Sequence, residues 1–403
     1  MTIVKSILAQ MPAVRQPQAK FLDTLFATIL ALRGHVNFRN LSRYCDYSER
    51  TIQRQFRTSF DWAQFHHLTL QAVLGAADEW IEVQDASFVP KSGKHPAGLG
   101  SFFNGCAGRP ERGLEISTLA LVNVTRGYAL TRHVAQTPAT TKAQGDESRL
   151  VWYAQQVLAQ RATLPAQVKY LVVDGAYAKR SYLDAVVSAA QHVITKLRCD
   201  ADCYFLHTAP RVPGQRGRTR KDDGKVNFQD LSRFTCVGTL PDEAHVTVYT
   251  AVVWHKSLGR KLRLVVLVNR NDPRKPRYSV LATTEVELDA ETVVRYYGAR
   301  FQIEFLFRDA KQFTGLTDCQ ARDAQALDFH FNASLATLHL VRVSEVQTAD
   351  TQALPVFSVA SWKQQKFNER LIETLITKLD LEPTWIKNHP RYEEVRTYGA
   401  IAA

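Results

Sequence analysis

The residues best suited to chemistry in this 403-residue chain are acidic and far apart in sequence. They are Asp85, closing the run IEVQD, Asp174, closing YLVVD, and Glu304, inside VVRYYGARFQIEFLFRDAKQF. Carboxylates that converge on two Mg²⁺ ions roughly 3.5 to 4 Å apart can cut a phosphodiester, one ion activating a water or 3′-hydroxyl and the other stabilising the leaving oxygen. An apolar strand that ends in Asp delivers that carboxylate to the edge of a sheet, where solvent and metal reach it. Taken alone, each Asp is a weak signal, since Asp is common in turns and Asp174-Gly175 is a turn dipeptide.

Glu304 has a more specific setting. At about 100° per residue, Tyr297, Arg300, Glu304, Arg308 and Lys311 fall within a stripe of roughly 80° on one helix face. Tyr296, Ala299, Ile303, Leu306, Phe307 and Ala310 fall on a separate apolar arc suited to packing on a sheet. Such a helix presses one side into a core and shows Glu304, flanked by cations, to a ligand. The same i,i+4 spacing of Arg300 and Glu304 also suits an ordinary surface ion pair.

The elements that must position these residues follow from hydrophobic period and turn signals. WIEVQDASFV, LEISTLALVNV and GYALTRHVA predict three strands, and a helix is expected from Glu147 to Arg161. The strand YLVVDGAY, a helix from Ser181 to Ala190 and the strand HVITKLR follow, giving the order β-β-β-α-β-α-β. That order predicts an α/β fold of the RNase H-like kind, a mixed sheet flanked by helices. From Cys199 to Leu288 a β-rich insertion is expected, opening on the Arg/Gly-rich loop RVPGQRGRTRKDDGK and containing the runs HVTVYTAVVWHK and RKLRLVVLVN. A helix from Asp289 to Phe313 carries Glu304, another spans Phe329 to Val343, and one near Gln365 to Leu379 has no legible role. The divisions are therefore residues 1–78, 79–198, 199–288, 289–345 and 346–403.

The first of these divisions reads as helical. An amphipathic helix covers Phe21 to Leu32, and NFRNLSRYCDYSERTIQRQFRTSFD has the outline of a helix-turn-helix: Leu41 to Cys45, a turn at Asp46 and Tyr47, then a helix opened by Ser48. Its second helix carries Arg50, Gln53, Arg54 and Arg57, residue types that suit phosphates and base edges, with a solvated basic surface as the alternative. The 51 Lys and Arg against 39 Asp and Glu, a net charge of +12, favour a polyanionic partner, with DNA the first to test. Six scattered cysteines (Cys45, Cys106, Cys199, Cys203, Cys236, Cys319) imply reduced thiols, not a disulfide frame or a zinc site. No run approaches the length of a membrane span, so the expectation is a soluble, cytoplasmic protein with no membrane partner.

Tyr297, two residues, Arg300, three residues, Glu304, six residues, Lys311 resembles the Tyr-Arg-Glu-Lys signature of bacterial insertion-sequence DDE transposases of the large cut-and-paste family numbered four. The regions QDASFVPKSGKHPAGLGSFFNGCAGRPERGLEIS and VVDGAYAKRSYL are similar to the surroundings of that family's two aspartates, so the resemblance runs from about Trp80 to Arg322. Gln84, before the first aspartate, is a minor departure. The resemblance implies Asp85, Asp174 and Glu304 as ligands of two Mg²⁺ (or Mn²⁺) ions per site. It also implies Arg300 and Lys311 on DNA phosphates, and Tyr297 on the backbone or the transferred-strand end. Lys91 and Lys94 are further phosphate candidates, or part of a solvated loop. Trp254 in VVWHKSLGRK would stack on a base flipped out beside the cut, or else pack on the insertion's own sheet. The implied activity is cleavage at terminal inverted repeats and transfer of the 3′-hydroxyl to target DNA by a homodimer on DNA. The competing expectations are a transposase-derived DNA-binding protein that has lost catalysis and an RNase H-like nuclease without strand transfer.

Overall fold

The structure, a computed structural model, describes residues 2–75, 77–139, 145–207, 222–241, 243–271, 277–348 and 358–401. Helices come first: α1 (Thr2–Ala9), α2 (Gln16–Ala31), α3 (Phe38–Tyr44), α4 (Glu49–Phe56) and α5 (Trp62–Gln71). Local chemistry sets their starts. Asn37 caps α3 through the Asn40 N–H, and Ser48 caps α4 through the Thr51 N–H at 3.2 Å, as its position before ERTIQRQF predicts.

The sheet region then runs β1 (Trp80–Pro90), β2 (Gly100–Asn104), β3 (Arg109–Asn123), β4 (Tyr128–Gln136), α6 (Gly145–Gln160), β5 (Tyr170–Val173), α7 (Arg180–Ser188) and β6 (His192–Leu197). Here β2 is a strand that the sequence pattern does not announce. It is only GSFFN, too short for an alternation signal, and it exists because β3 extends far enough to pair with it. The spatial order β4-β3-β1-β5-β6, with β1 antiparallel to β3 and parallel to β5, makes a mixed sheet.

The β-rich stretch contributes β7 (Cys203–Leu206), β8 (Asp222–Lys225), β9 (Thr235–Leu240), β10 (Glu243–His255), β11 (Arg260–Asn269) and β12 (Arg277–Thr283). These strands do not form a sheet of their own. β12 pairs antiparallel with β6, so the sheet continues through β12-β11-β10-β7-β8. Most of the Arg/Gly-rich loop, residues 211–221, lies outside the described residues. α8 (Ala290–Ala299), α9 (Gln302–Phe313), α10 (Ala324–Thr348), α11 (Val359–Lys378), α12 (Pro383–Lys387) and α13 (Tyr392–Arg396) complete the chain.

Two cores sandwich the sheet. Val83, Val172 and Ile194 pack with Val293, Ile303 and Phe307 beneath α8 and α9, while Leu171, Val173 and Val193 pack with Tyr153, Val157 and Tyr182 beneath α6 and α7. α10 is apolar on more than one side. Leu327, Phe331 and Leu335 join the sheet core, and Phe329, Ala333 and Ala336 join a core shared with α2, α4 and α5. The N-terminal helices are therefore fixed to the sheet region through α10, not tethered to it.

Candidate active site

Strand period two decides which way β1 points its side chains. Ile81 and Val83 belong to the α8–α9 side, so Asp85 points there too, whereas Glu82 and Gln84 face the α6–α7 side. Asp85 does not end its strand as its sequence suggests, because β1 continues to Pro90 along β3. What ends is the parallel pairing with β5, whose last partners are Gln84 and Val173. The next residues, Asp85 and Asp174, leave this pair side by side.

Asp174 caps the single 3₁₀ turn Gly175–Tyr177, its Oδ1 accepting from the Gly175 N–H at 2.7 Å. Glycine at 175 reflects packing as much as turn chemistry, since a Cβ there would lie 2.8 Å from the Lys196 carbonyl oxygen on β6. Beneath Asp85, Gln84 is fully buried: its amide donates to Ser117 Oγ and the Tyr153 carbonyl, and Tyr182 donates to its Oε1 at 2.5 Å. One step earlier, Glu82 is buried against Arg132 at 2.5 Å and accepts from Gln191. These polar braces were missed in the sequence, where Glu82 and Gln84 look like the solvent side of an alternating strand. The length of the flanking apolar runs is the one hint that both faces are covered.

Glu304 and Arg300 do not share one continuous helix. α8 ends at Ala299 and α9 begins at Gln302, with the Arg300 N–H shared between the Gly298 and Tyr296 carbonyls and Phe301 bonded back to Gly298. Gly298, a poor helix former, stands where the helix tightens. The predicted helix from Asp289 to Phe313 is thus corrected to two, though the apolar arc holds: Tyr296, Ile303, Leu306, Phe307 and Ala310 are all buried. α8 rests on β5, β6 and β10 to β12, and α9 on β1, β3 and β4, which brings their junction over Asp85.

At that junction Arg300 lies between two carboxylates, 3.5 Å from Asp85 Oδ2 and 2.7 Å from Glu304 Oε1. Its guanidinium is 5.6 Å from the Tyr297 ring centre, and its Nε is buried with no partner. Burial works against the Arg300 charge, yet Asp85, Tyr297 and Glu304 hold its pKa above the ordinary value. Burial pushes the Asp85 carboxyl up to about 6; the Ala86 N–H and Arg300 oppose this, and the negative charges of Glu304 and Asp174 add to it. Tyr297 is raised by its own burial and feels Arg300, Asp174 and Glu304. Asp85, Asp174, Glu304, Tyr297 and Arg300 are therefore one electrostatic cluster.

The other sequence candidates lie elsewhere. Lys311 is half-buried, with burial lowering its pKa and Cys106, in the β2–β3 turn, as the charge it feels. Lys91 donates to the Cys319 carbonyl and is likewise lowered by burial, and Lys94 is exposed. Trp254 is 38% exposed on β10, between Tyr204 of β7 and Lys261 of β11. On α4, Arg50, Arg54 and Arg57 are exposed, while Gln53 is bonded to Glu49.

The expected pair of metal ions does not fit this arrangement. Among the described residues no group of three or more His, Cys, Asp or Glu side chains is gathered closely enough to hold an ion, and Arg300 takes the position between Asp85 and Glu304. Among the described residues, too, no helix is long and apolar enough to cross a membrane.

The mixed sheet thus sets two aspartates where the parallel pairing of neighbouring strands ends, with a glutamate brought near them at the α8–α9 junction. The chain belongs to the DDE superfamily endonuclease family, which it matches over residues 11–260, a stretch containing Asp85 and Asp174 and ending before Glu304. No curated protein matches it.

Proposed function

We propose that the protein is a DNA transposase that binds the terminal inverted repeats of an insertion sequence, cleaves there and transfers the 3′-hydroxyl ends to target DNA. The observation that carries this is the meeting of Asp85 and Asp174, from parallel strands of the mixed sheet, with Arg300 and Glu304 at the α8–α9 junction. The Tyr297, Arg300, Glu304, Lys311 spacing supports transposition over plain nuclease activity, because three of the four side chains gather at the aspartates.

In this proposal Asp85, Asp174 and Glu304 would be the residues to hold Mg²⁺ (or Mn²⁺), which would activate the attacking water or 3′-hydroxyl and stabilise the leaving oxygen, although in the structure Arg300 stands between Asp85 and Glu304. Arg300 would take a phosphate beside the scissile bond, and Tyr297 would line the same position. Lys311, Lys91 and Lys94 would contact the backbone further out, Trp254 would stack on a flipped base, and α4 would meet the repeat through Arg50, Gln53, Arg54 and Arg57. Two ends cut in concert call for a homodimer on DNA.

The experiment is incubation of the protein with a duplex bearing the inverted repeats that flank its coding region, with and without Mg²⁺ or Mn²⁺, resolving nicked and joined products. Metal-dependent nicking plus joined products is expected. Nicks without joining would leave an RNase H-like nuclease, and binding without nicks would leave a DNA-binding protein that has lost catalysis.

A further inference from the structure

Three arginines, two from the N-terminal helices and one from the segment before α10, line one groove without forming a salt bridge. Arg39 on α3, Arg57 at the end of α4 and Arg322 before α10 border a cavity of about 710 Å³. All three are exposed, and among the described residues none of their guanidinium groups has a hydrogen bond or ion pair. Two acids border the same groove, so it holds three guanidinium groups against two carboxylates, and neither acid pairs with an arginine there. Glu49 accepts from Gln53 at 3.1 Å, and Asp323 accepts from the Ala326 N–H at 3.0 Å, capping α10. Elsewhere Arg132, Arg295, Arg300 and Arg396 all find carboxylates, so lack of acids does not explain the unpaired set.

We propose that this groove, between α3–α4 and the segment leading into α10, seats the sugar-phosphate backbone of DNA on Arg39, Arg57 and Arg322. The proposal rests on DNA being the substrate and names a surface for it. Guanidinium forks match phosphate oxygens, and three exposed guanidinium groups without ion pairs outnumber the two carboxylates of the groove, leaving it net positive for a polyanion. The two walls form one rigid unit, because Phe56 of α4 meets Phe329 of α10 at 4.6 Å between ring centres, within the core they share.

The groove also continues. Asn37, Gln320 and Arg322 border a second cavity of about 500 Å³ that reaches Lys91, just beyond the strand that carries Asp85. Two adjoining cavities running from α4 to the end of β1 suit an extended chain of phosphates better than a single anion. It also means that α4 faces this DNA seat with Gln53 and Arg57, while Arg50 and Arg54 lie outside it.

The test uses the full chain and a fluorescein-labelled duplex of random sequence, since phosphate contacts are independent of sequence. Wild type, the triple variant Arg39→Ala, Arg57→Ala, Arg322→Ala, and a control with equal charge loss (Arg198→Ala, Lys378→Ala, Arg391→Ala) are titrated over a range of salt. Because the three side chains are exposed and unpartnered, the triple variant should melt with wild type. It should bind at least about tenfold more weakly at physiological salt, with the slope of log K against log salt reduced by roughly 2 to 3, near 0.9 for each phosphate that is no longer neutralised. Replacement of the three by Lys should restore most of the affinity. Equal slopes and affinities for triple variant and control would overturn the groove while leaving DNA as the substrate. A wild type that binds no duplex would remove both.

Discussion

The two halves of the candidate site are built differently. Asp85 and Asp174 sit on neighbouring parallel strands, where backbone register and buried braces such as Gln84 and Tyr182 set their positions. Glu304 sits at a junction between two helices, its side chain 40% exposed, and meets Asp85 through the Arg300 side chain. A sheet edge places charges by main-chain hydrogen bonds, which are hard to shift. A helix junction places them by side-chain contacts, which a ligand can replace. The aspartate half is therefore preformed, whereas the glutamate half is held by a cation that the protein itself supplies.

The strongest challenge to this contrast is to remove the carboxylates one at a time. Asp85→Ala, Asp174→Ala and Glu304→Ala are each expected to lower cleavage of repeat-end DNA by about a thousandfold or more, leaving DNA binding intact, because the lost charge is negative. Asp309→Ala, whose partner is Arg308 on its own helix, should cleave as wild type does. Near-normal cleavage by any of the three would withdraw that residue from the site.

A second measurement weighs the cost of the preformed half. The Asp85 carboxyl, raised from 3.8 to about 6, favours the folded state when protonated. Its contribution is therefore complete below pH 3.8 and is lost as the pH rises through 6, up to about 3 kcal/mol at about 1.4 kcal/mol per unit. In EDTA, Asp85→Asn should be more stable than wild type at pH 8 by about 1 to 3 kcal/mol and equal to it near pH 4. Chemical denaturation across that range checks the sign, and a difference independent of pH would show that the charge is not strained.

A third tests the role of backbone packing. Gly175→Ala forces a methyl against the Lys196 carbonyl, so a loss of about 1 to 3 kcal/mol in stability is expected, together with reduced cleavage as Asp174 shifts. Full stability in the variant would mean that the strand end yields easily. The smallest expected effect is at Trp254, exposed on β10 with no aromatic ring contact among the described residues. Trp254→Ala should change stability by less than about 0.5 kcal/mol. If it stacks on a flipped base, the 2-aminopurine signal beside the cut should fall in a protein that melts normally. A large fall in melting temperature would return the ring to a packing role.

Much of the scaffold was legible from one dimension. Strand runs, capping residues such as Ser48 and the apolar arc of Ile303, Leu306, Phe307 and Ala310 depend on local period and propensity, which neighbouring residues decide. The residue types and spacing around Asp85, Asp174 and Glu304 were legible for the same reason. Tertiary structure alone decided that β1 runs past Asp85, that β12 docks on β6 and makes the sheet continuous, and that Arg300 stands between Asp85 and Glu304. It also decided that Arg39, Arg57 and Arg322 share a groove. Each of these depends on contacts between residues tens to hundreds of positions apart, where the free energy comes from packing and charge across the fold and leaves no local pattern to read.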